Sequence, residues 1–344
     1  MTTAPPSAAL APSPRLARLR YLYPGWYAIV MGLGGLALAW HRAVPLMGAM
    51  ADGVALVVGT LAAAIFVALA GATLLRWRLH PAAWAEDRRH PVRHTFVATL
   101  PIATMLLGTL AVTLFGPSVA AQALWWAGAV SQLVVTAWVL QRWWRPGSGH
   151  LPWAAVTPAL LIPIVGNVLA PLGGVPLGHA DWAAAQFGVG LVFWPVVLVL
   201  LVVRIATQGM PPERLLPTFF VLVAPPTVVG MSALQLGAPP VVGWMCWGAA
   251  AFTLVSVAST ARRLRELPFS MPHWGMSFPL AAFAALTLRL ASPGSVLAVA
   301  GPALLALASL VILGLLAGTW RGLRDGSLLA PEPVAPIAVA TPAA

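Results

Sequence analysis

Residues 94–141 read HTFVATLPIATMLLGTLAVTLFGPSVAAQALWWAGAVSQLVVTAWVLQ and decide the fold class of this chain. The stretch contains no formally charged residue in 48 positions. A bilayer core about 30 Å thick needs roughly 20 helical residues at a rise of about 1.5 Å each. We therefore predict two membrane helices here, with the turn between them at Gly116-Pro117-Ser118.

The other uncharged runs have lengths that fit the same unit. Runs sufficient for one helix cover 21–41, 53–75, 146–180, 182–203, 267–288 and 290–320, and the run 215–261 is sufficient for two. The sequence thus predicts an all-α polytopic membrane protein with ten transmembrane helices in the lipid bilayer. The predicted organisation is a disordered cytoplasmic tail over 1–23, a ten-helix channel domain over 24–321, and a second disordered cytoplasmic tail over 322–344.

The composition excludes other classes of protein. Of the 344 residues, 60% are hydrophobic and 8% are charged, so a water-soluble enzyme could not cover its surface and a disordered chain would be far less apolar. The formal net charge is +11, and all 19 basic residues are arginine. In a soluble protein this charge would favour nucleic acid as a partner. Here the arginines cluster between apolar runs, which is how a membrane protein fixes its orientation, and we expect no nucleic-acid partner.

The arginines also predict the topology. If the amino terminus is cytoplasmic, the ten-helix count puts 17 of the 19 arginines on the cytoplasmic side, and only Arg42 and Arg289 on the other. Positively charged loops stay in the cytoplasm. We therefore predict a multi-pass protein of the bacterial inner membrane with both termini in the cytoplasm.

Prolines recur at about the length of one helical hairpin. Pro101, Pro163, Pro225 and Pro279 fall within the third, fifth, seventh and ninth predicted spans, at separations of 62, 62 and 54 residues. The first span instead carries three glycines, Gly32, Gly34 and Gly35. Proline bends a membrane helix where protein or a watery cavity meets the break. The repeat favours five hairpins whose bent helices line a path; the alternative is that proline is simply common in membrane helices.

Few polar side chains lie within the predicted spans. Thr104, Asn167 and Ser277 are candidates for the path, and Gly166 precedes Asn167 shortly after Pro163. The Asn167 amide either turns inward or satisfies a neighbouring helix.

No catalytic set is recognisable among the eight acidic residues, and we predict no enzyme activity and no cofactor. His90 and His94 have the spacing of two metal ligands. Pro91 lies between them, so we interpret the pair as a helix entrance and predict no metal site.

Several segments resemble the tellurite-resistance/dicarboxylate transporter family, which includes bacterial TehA-type anion channels and the slow-type anion channels of plant guard cells. The segment HPVRHTFVATLPIATMLLG at 90–108 is the most specific. The others are PGWYAIVMGLGGLALAW at 24–40, IPIVGNVLAP at 162–171, LPTFFVLVAPP at 216–226 and WGMSFPL at 274–280.

The resemblance implies a function as well as a fold. It implies five helical hairpins around a pseudo-five-fold pore, a homotrimer, and Phe278 as a gate across the pore. The function is then passive conduction of small inorganic or organic anions. The alternative within the family is a secondary transporter that takes up C4-dicarboxylates or exports tellurite or sulfite.

The topology can be tested with reporter fusions. We expect fusions after Arg145 and after Arg321 to report a cytoplasmic location, and a fusion after Asp181 to report the periplasm, because only this arrangement keeps 17 arginines inside. Paired alkaline phosphatase and fluorescent protein fusions make the measurement. A periplasmic signal after Arg321 would contradict the ten-helix topology.

Overall fold

The computed structural model describes residues 14–144 and 153–331, and within these ranges the regular structure is helical, with no strand. We number the main helices α1 (Ala28–Arg42), α2 (Ala49–Leu79), α3 (Arg93–Phe115), α4 (Val119–Trp144), α5 (Pro158–Gly174), α6 (Ala180–Gln208), α7 (Glu213–Gln235), α8 (Pro240–Ala258), α9 (Ser277–Leu290) and α10 (Val296–Arg324). Seven of these are long and apolar enough to cross a membrane: α2, α3, α4, α6, α7, α8 and α10. The prediction of an all-α, multi-pass membrane protein is confirmed.

The helices form an inner and an outer group. In α7, 83% of the most apolar window is buried inside the protein, whereas only 17% is buried in α8. The large exposed hydrophobic side chains lie mainly on the even-numbered helices, including Val67, Val134, Val199, Phe252 and Leu310. Lipid can cover these side chains in a bilayer. The even-numbered helices are therefore the outer group.

Contacts along the chain pair each inner helix with the outer helix that follows it. α1 packs against α2, α3 against α4, α5 against α6, α7 against α8, and α9 against α10. The inner helices also contact one another in the order α1, α3, α5, α7, α9, and α9 returns to α1. The inner helices thus make a closed circuit of contacts.

Each inner helix has a 3-10 segment at its amino-terminal end, or directly before it in α1 and α9, and then continues in α geometry. The 3-10 segments are Pro24–Tyr27, Arg93–Ala98, Pro158–Leu161, Glu213–Val223 and Met271–Met276, and the α portions start at Ala28, Thr99, Ile162, Ala224 and Ser277.

The repeated prolines lie in the first turn of these α portions. Pro163 and Pro225 are the second α residues of their helices, and Pro101 and Pro279 are the third. The α portions continue directly from the 3-10 segments, and the N–H of the first α residue bonds to a 3-10 carbonyl, as Thr99 does with Phe96. Each repeated proline therefore removes one backbone donor at the turn where the hydrogen-bonding pattern changes. The sequence predicts that these prolines bend the interior of their helices. In the structure they lie instead where 3-10 geometry changes to α geometry.

Glycines in α1 allow α9 to approach closely. A Cβ atom on Gly32 would lie 2.3 Å from Ser277 Oγ, and one on Gly35 would lie 2.8 Å from the ring of Phe278. Gly34 faces α3, where Leu106 is the neighbour. Only the missing side chains at 32 and 35 permit this contact between the first and last inner helices.

Part of each predicted tail is ordered. Pro14–Arg18 is an α-helix and Leu19–Tyr21 is a 3-10 turn, so this part of the stretch predicted to be disordered is helical. α10 continues to Arg324, beyond the predicted boundary at 321. Residues 1–13 and 332–344 of the two predicted tails lie outside the described residues.

Candidate functional site

An apolar cavity of about 60 Å³ lies among the first turns of the inner helices. Helices α3, α5 and α7, together with α1, α9 and the 3-10 segment before α9, all contribute to its wall. The lining residues are Ala28, Met31, Phe96, Thr99, Ile102, Ala159, Ile162, Val165, Gly166, Leu169, Thr218, Val221, Ala224, Met271, Pro272, Trp274, Gly275, Phe278 and Pro279. None of these lining residues carries a formal charge, so no charged side chain of the wall can attract an ion electrostatically.

Lining residues recur three positions apart on three of the inner helices. They are Phe96, Thr99 and Ile102; Ala159, Ile162 and Val165; and Thr218, Val221 and Ala224. Side chains at i and i+3 point in the same direction in a 3-10 helix and share a face of an α-helix, and each series crosses the change between the two geometries. None of these nine residues is among the site residues predicted from the sequence.

The two threonines of the wall do not offer their hydroxyl protons to the cavity. Thr99 Oγ1 donates to the carbonyl of Pro24 at 2.5 Å, and Thr218 Oγ1 donates to the carbonyl of Leu215 at 2.5 Å. These bonds occupy the hydroxyl protons that an anion would otherwise accept. The wall therefore has almost no side-chain donor for an anion.

Phe278 lines the cavity, and its side chain is 8% exposed and packs against Gly35. The last lining residues on α1, α3, α7 and α9 are Met31, Ile102, Ala224 and Pro279, whereas on α5 the lining continues to Leu169.

The cavity brings together three of the predicted site residues, Phe278, Pro279 and Gly166. The others lie in contacts between or within helices and do not line it: Gly32, Gly34, Gly35, Pro101, Thr104, Pro163, Asn167, Pro225 and Ser277. Two of their hydroxyls bond within the same element or turn, because Thr104 donates to the Leu100 carbonyl at 2.9 Å and Ser277 to the Trp274 carbonyl at 2.7 Å.

Asn167 belongs to a buried polar cluster between α4, α5 and α6. Its amide nitrogen donates to Thr136 Oγ1 at 2.8 Å and to the Pro163 carbonyl at 3.1 Å. Gln186 donates to Asn167 Oδ1 at 3.2 Å, and Gln132 donates to the Pro163 carbonyl at 2.7 Å. Of the two alternatives for this amide, the hydrogen bonds favour contact with neighbouring helices. The cluster holds α5 where its α turn changes back to 3-10 geometry at Gly166.

A second, more polar cavity of about 350 Å³ adjoins the first. We call it the vestibule. The two cavities share Phe96, Met271 and Pro272. The basic side chains that line the vestibule are His90, Arg93, Arg214 and His273, and none of its lining residues is acidic.

The segment His90 to Arg93 shapes the boundary of the vestibule. His90 Nδ1 accepts the backbone N–H groups of Val92 and Arg93, each at 3.1 Å. Arg93 donates to the fully buried carboxylate of Asp87 at 3.0 Å, and Arg76 donates to the other oxygen of that carboxylate at 2.6 Å. His90 thus caps the start of α3, and the bond to Asp87 fixes the Arg93 guanidinium at the vestibule wall. Among the described residues, no group of three or more His, Cys, Asp or Glu side chains has a geometry suited to a metal ion.

Comparison with known families identifies the family of this chain. The family model described as SLAC1, voltage-dependent anion channel, matches residues 21–320. The chain belongs to this family. The resemblance found in the sequence is confirmed, and the family comprises channels and transporters rather than enzymes.

Relatives come from plants and bacteria. The tellurite resistance protein TehA homolog of Haemophilus influenzae is 26% identical over 263 residues, which cover 76% of this chain and 78% of the relative. The S-type anion channels SLAH2 and SLAH3 of Arabidopsis thaliana are each 27% identical, over 59% and 74% of this chain. The chain spans only 39% and 40% of the lengths of these two plant relatives.

Substitution of Asn167 tests whether its amide acts in the cavity or between helices. We expect Asn167→Ala to lower stability by about 1–3 kcal/mol, because buried partners on three helices lose their hydrogen bonds. Anion selectivity per folded molecule should stay unchanged. Thermal melting in detergent and flux in proteoliposomes make the two measurements.

The matched control is Thr104→Ala, whose hydroxyl bonds within its own helix and whose removal should cost less than about 1 kcal/mol. An altered selectivity in well-folded Asn167→Ala protein would contradict the interhelical role.

Proposed function

We propose that this protein conducts small anions passively across the bacterial inner membrane, with both termini in the cytoplasm. The observation that carries the proposal is the uncharged cavity at the first turns of the inner helices, which Phe278 helps to line. Passive conduction needs a path in which an ion is bound weakly enough to leave. A wall with almost no free donor meets that requirement.

Backbone dipoles supply a preference for anions. The amino-terminal turns of the inner helices border this cavity, and the amino-terminal end of a helix is the positive end of its dipole. Several such termini around one apolar space make its potential positive without a fixed cation. Because the wall replaces little of the hydration shell, we expect selection to favour anions that lose water easily.

The proposed architecture is five helical hairpins around a pseudo-five-fold pore, with three subunits in the assembly. The pairing of each inner helix with the following outer helix supports the hairpins, and the closed circuit of inner-helix contacts supports a central path. The recurring change from 3-10 to α geometry supports an approximate repeat. The resemblance of the sequence to the family supports the homotrimer.

The alternative is a secondary transporter for C4-dicarboxylates, tellurite or sulfite. The Haemophilus relative is named a tellurite resistance protein, so tellurite is the first of these substrates to test. A proton-coupled carrier usually has an ionisable side chain within the membrane as a relay. The lining of the inner cavity contains none, so we favour the channel.

Flux measurements in proteoliposomes separate these two functions. We expect chloride flux to follow an imposed voltage and to be the same with and without a proton gradient, because the cavity offers no group to carry a proton. Ion-selective electrodes with a potassium–valinomycin voltage clamp make the measurement. Uptake that occurs only with a proton gradient would overturn the channel and favour the transporter.

Phe278 is the proposed gate, and its ring blocks ions by size and by forcing them to lose water. We expect Phe278→Ala to raise chloride flux by about tenfold or more, since each 1.4 kcal/mol removed from a barrier multiplies a rate by about ten. The measurement is flux per folded protein in proteoliposomes.

Phe283→Ala is the matched control for the gate. Phe283 lies on the same helix, is 3% exposed, and stacks on Trp247 instead of lining the cavity. A buried phenylalanine truncated to alanine costs about 3–5 kcal/mol, so this variant should lose stability without gaining flux. Equal flux from wild-type and well-folded Phe278→Ala protein would remove Phe278 from the mechanism.

A further inference from the structure

The chain folds back on itself after α10. Gly326 adopts a positive φ of 81°, a conformation that favours glycine, and reverses the chain. The Asp325 carboxylate accepts the N–H of Ser327 at 2.9 Å, and the Leu328 N–H donates to the Gly322 carbonyl at 3.2 Å. We call residues 325–331 the strap.

Leu328 anchors the strap in a seat provided by a glycine. A Cβ atom on Gly322 would lie 2.6 Å from the Leu328 side chain, so the leucine occupies the space that any larger residue would fill. Leu328 and Leu329 both pack against the main hydrophobic core. The guanidinium of Arg18 lies against Gly326 and adds a contact from the amino-terminal segment.

The strap forms part of the vestibule wall. Ser327, Leu328, Ala330 and Pro331 line the vestibule together with Arg93 and Arg214. The vestibule in turn adjoins the inner cavity through Phe96, Met271 and Pro272. The strap is therefore one wall of the space through which a solute would reach the inner cavity from this side.

We propose that the strap is a second barrier, separate from Phe278, that restricts entry of anions to the vestibule while Leu328 is seated on Gly322. This inference rests on the proposed function for its physiological meaning, because the vestibule matters only if anions use the path. Leu328 is partly buried, and burial of part of a leucine side chain shifts an equilibrium by roughly tenfold. An anchor of this size holds the strap closed most of the time and still permits opening.

Thiol labelling measures access without requiring conduction. Cys246 is the only cysteine in the sequence, so Cys246→Ala gives a thiol-free background. Val221→Cys then places one reporter thiol in the inner cavity, and Ser259→Cys places one on the exposed surface after α8. The probe is sulfonatoethyl methanethiosulfonate, an anionic reagent, applied to protein in detergent.

Two substitutions are designed to release the strap. Gly322→Ala fills the space in which the Leu328 side chain lies, and Leu328→Ser removes that apolar side chain. We expect each to raise the labelling rate of the Val221→Cys thiol by about tenfold. Gly314→Ala is the matched control, because it lies on the same helix with no atom within 4 Å of the added Cβ, and it should leave the rate unchanged. The Ser259→Cys thiol should react equally in all backgrounds.

The proposal is overturned if both release variants melt cooperatively and label at the parent rate. It is also overturned if the parent Val221→Cys thiol reacts as fast as the Ser259→Cys thiol, since the strap then restricts nothing. Absence of chloride flux from every variant would contradict the proposed function, but faster labelling would still support the strap. Normal flux with unchanged labelling would remove the strap alone.

Discussion

Hydrocarbon offers no hydrogen bond to a polypeptide backbone, and the inner helices of this protein are arranged around that constraint. A proline within a membrane helix leaves a carbonyl without its usual partner. Here the repeated prolines lie in the first α turn after a 3-10 segment, where the helix already changes its hydrogen-bonding pattern. At Pro163, where α5 is most irregular, the carbonyl accepts bonds from Gln132, Thr136 and Asn167.

The same arrangement gives the cavity its chemical character. Residues three apart along the amino-terminal turns of α3, α5 and α7 face one space, and most of them are apolar. Polar side chains near this space bond to backbone carbonyls or to neighbouring helices. What remains for an anion is the field of the helix termini, which attracts without binding tightly.

Two kinds of contact connect the cavity to the rest of the protein. On the membrane side, Gly32 and Gly35 bring α1 against Ser277 and Phe278, so the position of the ring depends on the contact that closes the circuit of inner helices. At the vestibule, the buried Asp87 carboxylate joins Arg76 of α2 to Arg93 of α3, and Arg76 also donates to the carbonyl of Arg20. A buried carboxylate with two arginine partners is costly to disrupt, because loss of either partner leaves charge uncompensated.

The sequence by itself determined the fold class, the family and the position of Phe278 in a family motif. These depend on local properties: uncharged runs of bilayer length, prolines at a regular interval, and the segments 90–108 and 274–280. Only the tertiary structure decided which side chains meet at the cavity. The sequence pointed to Thr104 and Asn167 as polar candidates, but their hydrogen-bond partners lie elsewhere in space, on Leu100 and on helices α4 and α6. The lining residues Met31, Ile102 and Ala224 are ordinary apolar residues in the sequence. Whether their side chains face the cavity depends on how the five inner helices, which are distant in sequence, pack against one another.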